Sequence, residues 1–420
     1  YKPVVFEKNE RPGGMLTYGI PSFKLQKDVI EAEVEVIRLM GAEFRYGVEV
    51  GRDVTLDELR AQGFKAFYVA IGCQGGRLAG IPGEDAEDVT VAVDFLREVN
   101  SGKIDALPGR TIVVGGGNVA IDVARNACRL GSEHVEMFCL ESEAQMPASE
   151  EERREAIEDG VHISCGWGPK EVHLDEAGHV RGITFKRCTR VFDDEGRFAP
   201  EYDENDLRRV DADRVVMSIG QSIVWGDLLA GSKVELGRGQ GALADPRTYQ
   251  TAEPDIFVGG DVYTGPSFAI DAIAAGHEAA VSIHRFVQPG STLTIGRNQR
   301  RYTALDRDDV VIESYDNASR EVAHVDRERE KAAPFSEYVE TFTEEQVRAE
   351  TARCLGCGAS IVDPNKCIGC GLCTTKCAFD AIHLDRDRPE CSTMVKYEQK
   401  LPSLGKYALK RAIKIKFGRK

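Results

Sequence analysis

Short apolar runs that end in glycine alternate along the chain with segments of helical periodicity. The runs at residues 111–117, 215–220 and 256–261 are typical of buried strands. Apolar residues spaced three and four apart predict helices over residues 27–40 and 119–130. Further strands are predicted at residues 2–7, 66–72 and 135–140, and a further helix at 270–286. Because strand, helix and strand follow one another from 111 to 140, this segment predicts a βαβ unit of a parallel sheet.

The last third of the chain has a different composition. Residues 287–351 are polar and charged, which predicts a linker or a wrapping arm. A window rich in cysteine follows. The tail from Lys396 to Lys420 has nine Lys or Arg and one Glu, so its charge is +8, whereas residues 1–395 sum to −23. Part of this tail is amphipathic, which is consistent with docking on an acidic partner or a membrane surface, or with a solvated terminus.

Composition excludes several classes of protein. The 420 residues are enough for two to four domains, and no run approaches 18 apolar residues, which rules out a membrane-spanning helix. The net charge of −15 argues against generic nucleic-acid binding. Seven of the twelve cysteines fall within 38 residues, so we expect a cysteine-ligated centre in the reducing cytoplasm rather than a disulfide scaffold.

A glycine turn follows the strand at 111–117. In the pattern Gly115-x-Gly117-x-x-Ala120, the first glycine permits a tight turn, the second lets a pyrophosphate approach, and the small third residue lets helix and strand pack. The backbone N–H groups of Asn118 and Val119, at the start of the helix, would point toward the phosphates. This pattern predicts dinucleotide binding.

The end of the next strand bears on the choice between NADH and NADPH. Glu141 follows that strand, and no arginine occurs between it and Arg153. A carboxylate there accepts hydrogen bonds from a ribose 2′-OH, whereas arginines suit a 2′-phosphate. We therefore expect NADH in preference to NADPH, although a solvated acid in a loop is an alternative for Glu141.

Four separated motifs resemble the small-subunit (beta chain) family of glutamate synthase. They are GGMLTYGIPSFKL at 13–25, VVGGGNVAIDVAR at 113–125, QMPA at 145–148 and IFVGGD at 256–261. The resemblance implies an α/β fold with two interleaved Rossmann-like domains, for FAD and NAD, built as three-layer sandwiches. Where this family usually has two arginines for NADPH, positions 140 and 141 are Leu and Glu.

The resemblance also implies domain limits and flavin contacts. The expected units are an FAD domain (1–100 and 235–290), an NAD domain (101–234), an arm (291–350), a small α+β ferredoxin-like module (351–392) and a basic tail (393–420). The residues expected at the cofactors, in addition to those of the glycine turn and Glu141, are Glu7, Gly14, Met15, Leu16, Gly72, Gly220, Gly260, Asp261, Ser267 and Phe268. The family places a first βα unit before the acid at position 7. That unit is absent here, so we expect Tyr1 to be an internal residue of a longer precursor.

The cysteine window has the spacing of a bacterial ferredoxin. Cys367, Cys370, Cys373 and Cys377 follow the pattern C-x2-C-x2-C-x3-C, which favours a [4Fe-4S] cluster over zinc, although Ala378 replaces the usual proline. The other cysteines of the window are Cys354, Cys357 and Cys391. Two clusters need eight thiolates and the window supplies seven, so the sequence allows either one cluster or two.

Together these features predict an oxidoreductase that passes electrons from NADH through FAD to [4Fe-4S] and on to a partner protein or larger enzyme subunit. Flavin converts a hydride into single electrons, so no catalytic side chain is required. One alternative is an accessory electron-transfer subunit with an idle flavin site. Another is a disulfide reductase of the thioredoxin-reductase type, which the lack of a C-x-x-C pair among Cys128, Cys139, Cys165 and Cys188 disfavours.

Overall fold

The structure is a computed structural model that describes residues 1–288, 290–295, 297, 319–354, 367–376, 382–384 and 396–417. These residues form two compact units, Tyr1–Gln346 and Val347–Lys420. In the described part of the chain, we find no helix with both the length and the apolar character needed to cross a membrane.

The first unit alternates strands and helices. Its strands are β1 Val4–Glu7, β2 Glu43–Tyr46, β3 Phe67–Val69, β4 Gly75–Gly76, β5 Val89–Val91, β6 Arg110–Val114, β7 His134–Cys139, β8 His162–Cys165, β9 Trp167–Leu174, β10 Val180–Phe192, β11 Phe198–Val210, β12 Arg214–Met217, β13 Gln221–Ser222 and β14 Ile256–Val258. Its helices are α1 Met15–Tyr18, α2 Lys27–Leu39, α3 Leu56–Ala61, α4 Ala92–Asn100, α5 Asn118–Arg129, α6 Glu150–Glu158, α7 Asp261–Thr264, α8 Ala269–Phe286 and α9 Arg327–Ala332. The strands and helices expected from the apolar pattern are therefore confirmed; several strands are shorter than expected, and the bounds of β7, α5 and α8 differ by one residue.

A five-stranded parallel sheet is the centre of this unit. Its strand order is β5-β12-β6-β7-β8, so strand β5 pairs with β12 although it lies within residues 1–100. Helices α4, α5 and α6 pack on one face, and the antiparallel sheet β11-β10-β9 covers the other. This three-layer arrangement confirms the predicted fold class.

Side chains of the central strands alternate between the two faces of that sheet. Val113 and Val216 pack among the helices, whereas Ile112, Val215 and Met217 pack toward the antiparallel sheet. All five are essentially inaccessible to solvent. A strand buried on both faces has no polar alternation, which explains the near-continuous apolar runs in the sequence.

Two smaller parallel pairs lie outside this sheet. Strand β1 pairs with β2, and strand β14 pairs with β3. Ile256 and Val258 of β14 pack with Val69 of β3 and with Leu56 of α3 in a separate apolar cluster. The carboxyl ends of β1, β3 and β14 lead directly into the segments that carry the predicted flavin contacts.

The charged segment before the cysteines packs on helix α5. Val325 and Val339 form a β-bridge, and Tyr338 is only 6% exposed. Its hydroxyl oxygen accepts a hydrogen bond of 2.5 Å from Nη2 of the buried Arg125. Arg129 is also anchored, through an ion pair of 2.7 Å with Glu330. This part of the predicted arm therefore covers helix α5.

We expect Arg125→Met to destabilise the chain by about 3 kcal/mol, because the buried guanidinium no longer pairs with Asp159 and Glu155, and Arg129 at 2.9 Å compensates for only part of the charge on Asp159. Arg125 Nε lies 2.8 Å from Asp159 Oδ2, and Glu155 is a second acidic partner. The matched control is Arg154→Met on the same helix as Glu155, where exposed pairs at 3.8 to 4.0 Å contribute at most about 0.5 kcal/mol. Urea unfolding followed by circular dichroism measures both, and equal losses would contradict the prediction.

The second unit contains most of helix α10 (Glu344–Ala352), a short helix α11 (Leu372–Lys376) and the tail helix α12 (Tyr397–Phe417). Helix α12 exposes the apolar side chains of Leu401, Leu404, Leu409, Ile413 and Ile415. Its lysines and Arg411 make it strongly basic. The tail therefore forms a helix that carries both exposed apolar and basic side chains.

Candidate functional site

The glycine turn joins β6 to α5 at the carboxyl edge of the central sheet. Gly115 has φ of +144°, and a Cβ at this position would lie 2.2 Å from the carbonyl oxygen of Ser218, which follows the neighbouring strand β12. Only glycine fits there. Gly117 precedes the helix in extended conformation, and a Cβ there would have no heavy atom within 4 Å. The turn is thus closed on the sheet side and open in front of the helix.

The first turn of α5 presents an N-terminus to this open space. The backbone N–H groups at Asn118 and Val119 are the ones that a helix leaves without an intrahelical partner. The Asn118 side-chain oxygen accepts a hydrogen bond of 3.1 Å from the backbone N–H of Ser149, at the start of α6. Ala120 is fully buried against the sheet. A dinucleotide pyrophosphate fits this geometry.

Glu141 lies beside the same turn. Its carboxylate oxygen Oε2 is 3.0 Å from the position that a Cβ at Gly116 would occupy. Its carbonyl oxygen accepts a hydrogen bond of 2.9 Å from the N–H of Gly166, just after β8. The structure therefore brings together, at one sheet edge, the glycine turn and the acid that the sequence assigned to the ribose.

Gly220 lies at the end of the adjacent segment after β12. Its φ is +125°, and a Cβ there would be 3.6 Å from Cδ of Arg77. The next residues form the short antiparallel pair of β13 with β4, which pairs Gln221 with Gly76. Gly220 thus lies between β12 of the central sheet and β13, the strand that pairs with β4 of the segment after β3.

The first group of residues expected to contact the flavin cofactor lies at the end of β1 and in the loop and helix that follow it. Oxygen Oε1 of Glu7 accepts two hydrogen bonds from Asn9, at 2.9 Å from its backbone N–H and 2.7 Å from its amide. Gly14 has φ of +50°, with no heavy atom within 4 Å of a Cβ position, and it precedes the short helix that contains Met15 and Leu16. Lys27 Nζ donates to the Leu16 carbonyl oxygen at 3.0 Å. Burial, together with the nearby Arg11, lowers the pKa of Lys27 to about 8.

A second group of expected flavin contacts surrounds Asp261. Gly72 has φ of +67°, and a Cβ there would lie 4.0 Å from Asp261 Oδ2. Gly260, with φ of +64°, starts helix α7, and burial raises the pKa of the Asp261 carboxyl. The Ser267 N–H donates to Asp261 Oδ1 at 3.3 Å, and Phe268, 74% exposed, precedes α8. A left-handed glycine such as Gly72 opposite a carboxylate leaves a space that suits ribityl hydroxyls.

One contact between distant segments of the first unit was not expected from the sequence. Lys24, from the segment after α1, lies 2.5 Å from Asp122 Oδ1 on α5 and also pairs with Glu152 on α6. Burial raises the pKa of Asp122 to about 6, although Lys24 lowers it. Lys24 therefore connects the segment after α1 to the helix of the glycine turn. No local pattern identifies such a pair, since its members are about a hundred residues apart in sequence.

A pair of thiols, one of them buried, also lies under the turn. Cys139 and Cys165 are opposite each other on β7 and β8, with their sulfurs 3.7 Å apart. Burial raises the pKa of the Cys139 thiol, as does its neighbour Cys165. Sequence spacing could not reveal this pair. The raised pKa of Cys139 keeps this thiol protonated, which is poorly suited to disulfide exchange.

The cysteine loop is described in part. Cys354, Cys367, Cys370 and Cys373 are exposed, and Cys357, Cys377 and Cys391 lie outside the described residues. Gly369 and Gly371 have φ of +64° and +75°, and the Gly369 N–H donates to Cys367 Sγ at 3.4 Å. In the described ranges no three potential ligands are close enough to hold a metal. A tight loop with N–H groups directed at thiols nevertheless fits a thiolate-ligated iron–sulfur cluster.

Comparisons with known proteins agree with this geometry. Residues 4–276 match the model of the family described as pyridine nucleotide-disulphide oxidoreductase, and residues 360–383 match the 4Fe-4S binding domain. FprA from Mycobacterium tuberculosis (His57Gln mutant) has a similar fold, with a TM-score of 0.57 and 20% identity over 67% of this chain and 77% of that one.

Curated relatives are more similar in sequence. The chain is 34% identical to the NADP(+)-dependent formate dehydrogenase subunit beta of Moorella thermoacetica, over 85% of this chain and 51% of that protein. It is 34% identical to the glutamate synthase [NADPH] small chain of Escherichia coli K12, over 68% and 64%. It is 32% identical to the NAD-dependent dihydropyrimidine dehydrogenase subunit PreT of the same strain, over 69% and 63%. The chain thus spans about half to two thirds of these relatives, and the resemblance noted from the sequence motifs is confirmed.

Proposed function

Because this chain belongs to the pyridine nucleotide-disulphide oxidoreductase family, in the group that includes glutamate synthase small chains, we propose that it carries electrons from a nicotinamide dinucleotide through FAD to a 4Fe-4S centre and on to a partner protein. The observation that carries this proposal is the glycine turn. It is closed on the sheet side by Ser218 and open in front of the α5 N-terminus, beside Glu141.

On the nicotinamide side, we assign the pyrophosphate to the backbone of Gly115, Gly117, Asn118 and Val119. Helix N-termini and approachable glycines stabilise such an anion without a cationic side chain. Glu141 would accept the hydrogen bond of the ribose 2′-OH. This assignment supports NADH as the preferred donor.

On the flavin side, we assign binding and orientation to two groups of residues. Glu7 would hold the adenosine ribose, and the loop of Gly14, Met15 and Leu16 would lie along the ring. The remaining assigned flavin contacts are those of Gly72, Gly260, Asp261, Ser267 and Phe268, whereas Gly220 is assigned to the nicotinamide dinucleotide. The N-terminus of α8, directly after Phe268, would stabilise negative charge at the ring. FAD, when bound, accepts a hydride and releases single electrons, and no protein acid or base is needed for that step.

Strand pairing bears on the boundary between the flavin-binding and the nicotinamide-binding halves. Strand β5 pairs with β12 of the central sheet, and α4 packs on that sheet. We therefore propose that the nicotinamide-binding half begins at Val89 and not at residue 101. The flavin-binding half then comprises the segments before Val89 and after residue 234.

For the iron–sulfur module, we assign Cys367, Cys370 and Cys373 to one [4Fe-4S] cluster, with a fourth thiolate from the same window. The remaining candidates are Cys354, Cys357, Cys377 and Cys391. A second cluster is compatible with this set if a further ligand completes it. The match of the 4Fe-4S family model covers residues 360–383.

The electron acceptor is proposed to be a partner protein or a larger enzyme subunit. Three of the proteins compared above are named as subunits or chains of larger enzymes. The basic helix α12 is a surface on which an acidic partner or an anionic membrane could dock. We place the protein in the reducing cytoplasm, where free thiols persist.

The disulfide-reductase alternative has one observation in its favour, the proximity of Cys139 and Cys165. Their sulfurs lie beneath the glycine turn at the nucleotide site, and burial raises the pKa of the Cys139 thiol. A dithiol that reduces substrates needs an accessible thiolate. Cys139 is buried and its thiol pKa is raised, so we retain electron transfer as the function.

The test is NADH-dependent reduction of an artificial dye by the flavin-loaded protein isolated from its native source. We expect turnover with NADH that exceeds turnover with NADPH at equal concentration, because Glu141 opposes a 2′-phosphate. Stopped-flow absorbance of the flavin measures the step directly. Bound flavin that neither dinucleotide reduces would contradict the proposed function and favour the accessory role.

A further inference from the structure

The loop after β7 is acidic in sequence, but other elements bring positive charge to it. Residues 140–145 include Glu141 and Glu143 and no cationic residue. From α6, Arg153 Nη1 donates a hydrogen bond of 2.6 Å to the carbonyl oxygen of Glu143. Its Nε is buried and has no hydrogen-bond partner among the described residues. One guanidinium therefore lies against the loop on the side of α6.

A second guanidinium reaches the loop from the antiparallel sheet. Arg187 of β10 stands opposite Trp167 of β9, and its Cζ lies 5.1 Å from the centre of the Trp167 ring. The same Cζ is 3.2 Å from the position that a Cβ at Gly166 would occupy. Gly166 is the residue whose N–H binds the Glu141 carbonyl oxygen at 2.9 Å. Arg187 thus packs against Gly166, and Gly166 in turn is hydrogen-bonded to Glu141, the acid proposed to bind the ribose.

The thiol of Cys188 lies close to both Glu141 and Arg187. Burial raises the pKa of Cys188; the Glu141 carboxylate also raises it, and the Arg187 guanidinium lowers it. The Cys188 N–H donates to the Gly166 carbonyl oxygen at 2.9 Å. The carboxylate and the guanidinium therefore act on one small volume at the carboxyl edge of β7 and β8.

Arg187 differs in its partners from several other arginines of the hairpin formed by β10 and β11. Arg181, Arg190, Arg197 and Arg208 each have a carboxylate oxygen within 3.4 Å. For Arg187, no carboxylate of the described residues lies within the 4.0 Å limit of an ion pair. A planar guanidinium held by stacking and free of a carboxylate partner is suited to phosphate, which it binds through two parallel N–H groups.

Ligands of parallel sheets bind outside the carboxyl ends of the strands, so the adenosine end of a dinucleotide would lie at this edge, next to Glu141. Resting on the proposed function, we infer that Arg187, assisted by Arg153, forms a phosphate subsite for the adenosine 2′-position and lets the chain accept NADPH beside NADH. Glu141 favours the 2′-OH, and the two arginines offset its repulsion of a 2′-phosphate. Discrimination between the two dinucleotides is then modest instead of strict.

The test measures binding of two adenosine nucleotides by isothermal titration calorimetry, without flavin turnover. The ligands are 5′-AMP and adenosine 2′,5′-bisphosphate, which differ only in the 2′-phosphate. We expect Arg187→Gln to weaken the bisphosphate about tenfold and to change 5′-AMP less than twofold, as for the loss of one charged hydrogen-bonding partner. Glu141→Gln should strengthen the bisphosphate about tenfold, and the double variant should lose that gain.

Arg190→Gln is the matched control, because Arg190 is on the same strand and is already paired with Glu201 and Asp194. It should leave both affinities within twofold. An Arg187→Gln effect of equal size on both ligands, or no effect on either, would overturn the inference while NADH-driven flavin reduction persists. Wild-type protein that binds neither nucleotide would instead contradict the dinucleotide site itself.

Discussion

Replacing Cys370 by serine is expected to abolish electron delivery to a protein acceptor while leaving NADH-dependent dye reduction intact. Cys370 is exposed in a loop between two left-handed glycines, Gly369 and Gly371. A serine hydroxyl is a poor ligand for iron, and three thiolates from one tight loop must wrap a single cubane. Loss of one of them removes the cluster, whereas the nucleotide sites are built from residues of the first unit.

Iron and acid-labile sulfide content measure the result, together with reduction of a ferredoxin-type acceptor. Cys128→Ser, on α5 and outside the cysteine window, is the control and should keep full iron content. Wild-type protein should contain about four iron atoms per chain for one cluster and about eight for two. A Cys370→Ser protein with unchanged iron would show that this cysteine is not a ligand. Iron loss accompanied by loss of dye reduction would show that the two activities are not separable.

The local parts of the nucleotide site could be predicted from sequence because each is a short pattern with one physical cause. The Gly115 turn is an example. Its φ of +144° and the Ser218 carbonyl oxygen at 2.2 Å from a Cβ position leave room for glycine alone. The Asp261 segment is another, since a buried strand must end before a carboxylate can face the cofactor.

Features that depend on distant parts of the chain could not be predicted in this way. Strand β11 is exposed at most positions, so it has no apolar alternation, and the sequence pattern does not predict the long hairpin that it forms with β10. Arg187 reaches the Glu141 loop only through that hairpin. Lys24 meets Asp122 only through packing of the two halves. A sequence that lacks arginine near residue 141 can therefore still bring arginine there.

Two alanine substitutions in the glycine turn should separate folding from nucleotide binding. Gly115→Ala places a methyl group against the Ser218 carbonyl in a left-handed conformation, and we expect a loss of about 3 kcal/mol in unfolding free energy. Gly117→Ala meets no heavy atom within 4 Å and has φ of −90°, so it should fold with unchanged stability.

The Gly117 variant should nevertheless bind NADH about a hundredfold more weakly, because its methyl group occupies the path by which the pyrophosphate reaches the backbone N–H groups of α5. Urea unfolding gives the stabilities, and titration with NADH gives the affinities. Gly131→Ala, beyond the C-terminus of the same helix in a left-handed conformation, separates general backbone strain from an effect on the nucleotide. It should cost about 1 kcal/mol of stability and leave NADH affinity within twofold. If Gly117→Ala bound NADH as tightly as wild type, the pyrophosphate would have to lie elsewhere than at this turn.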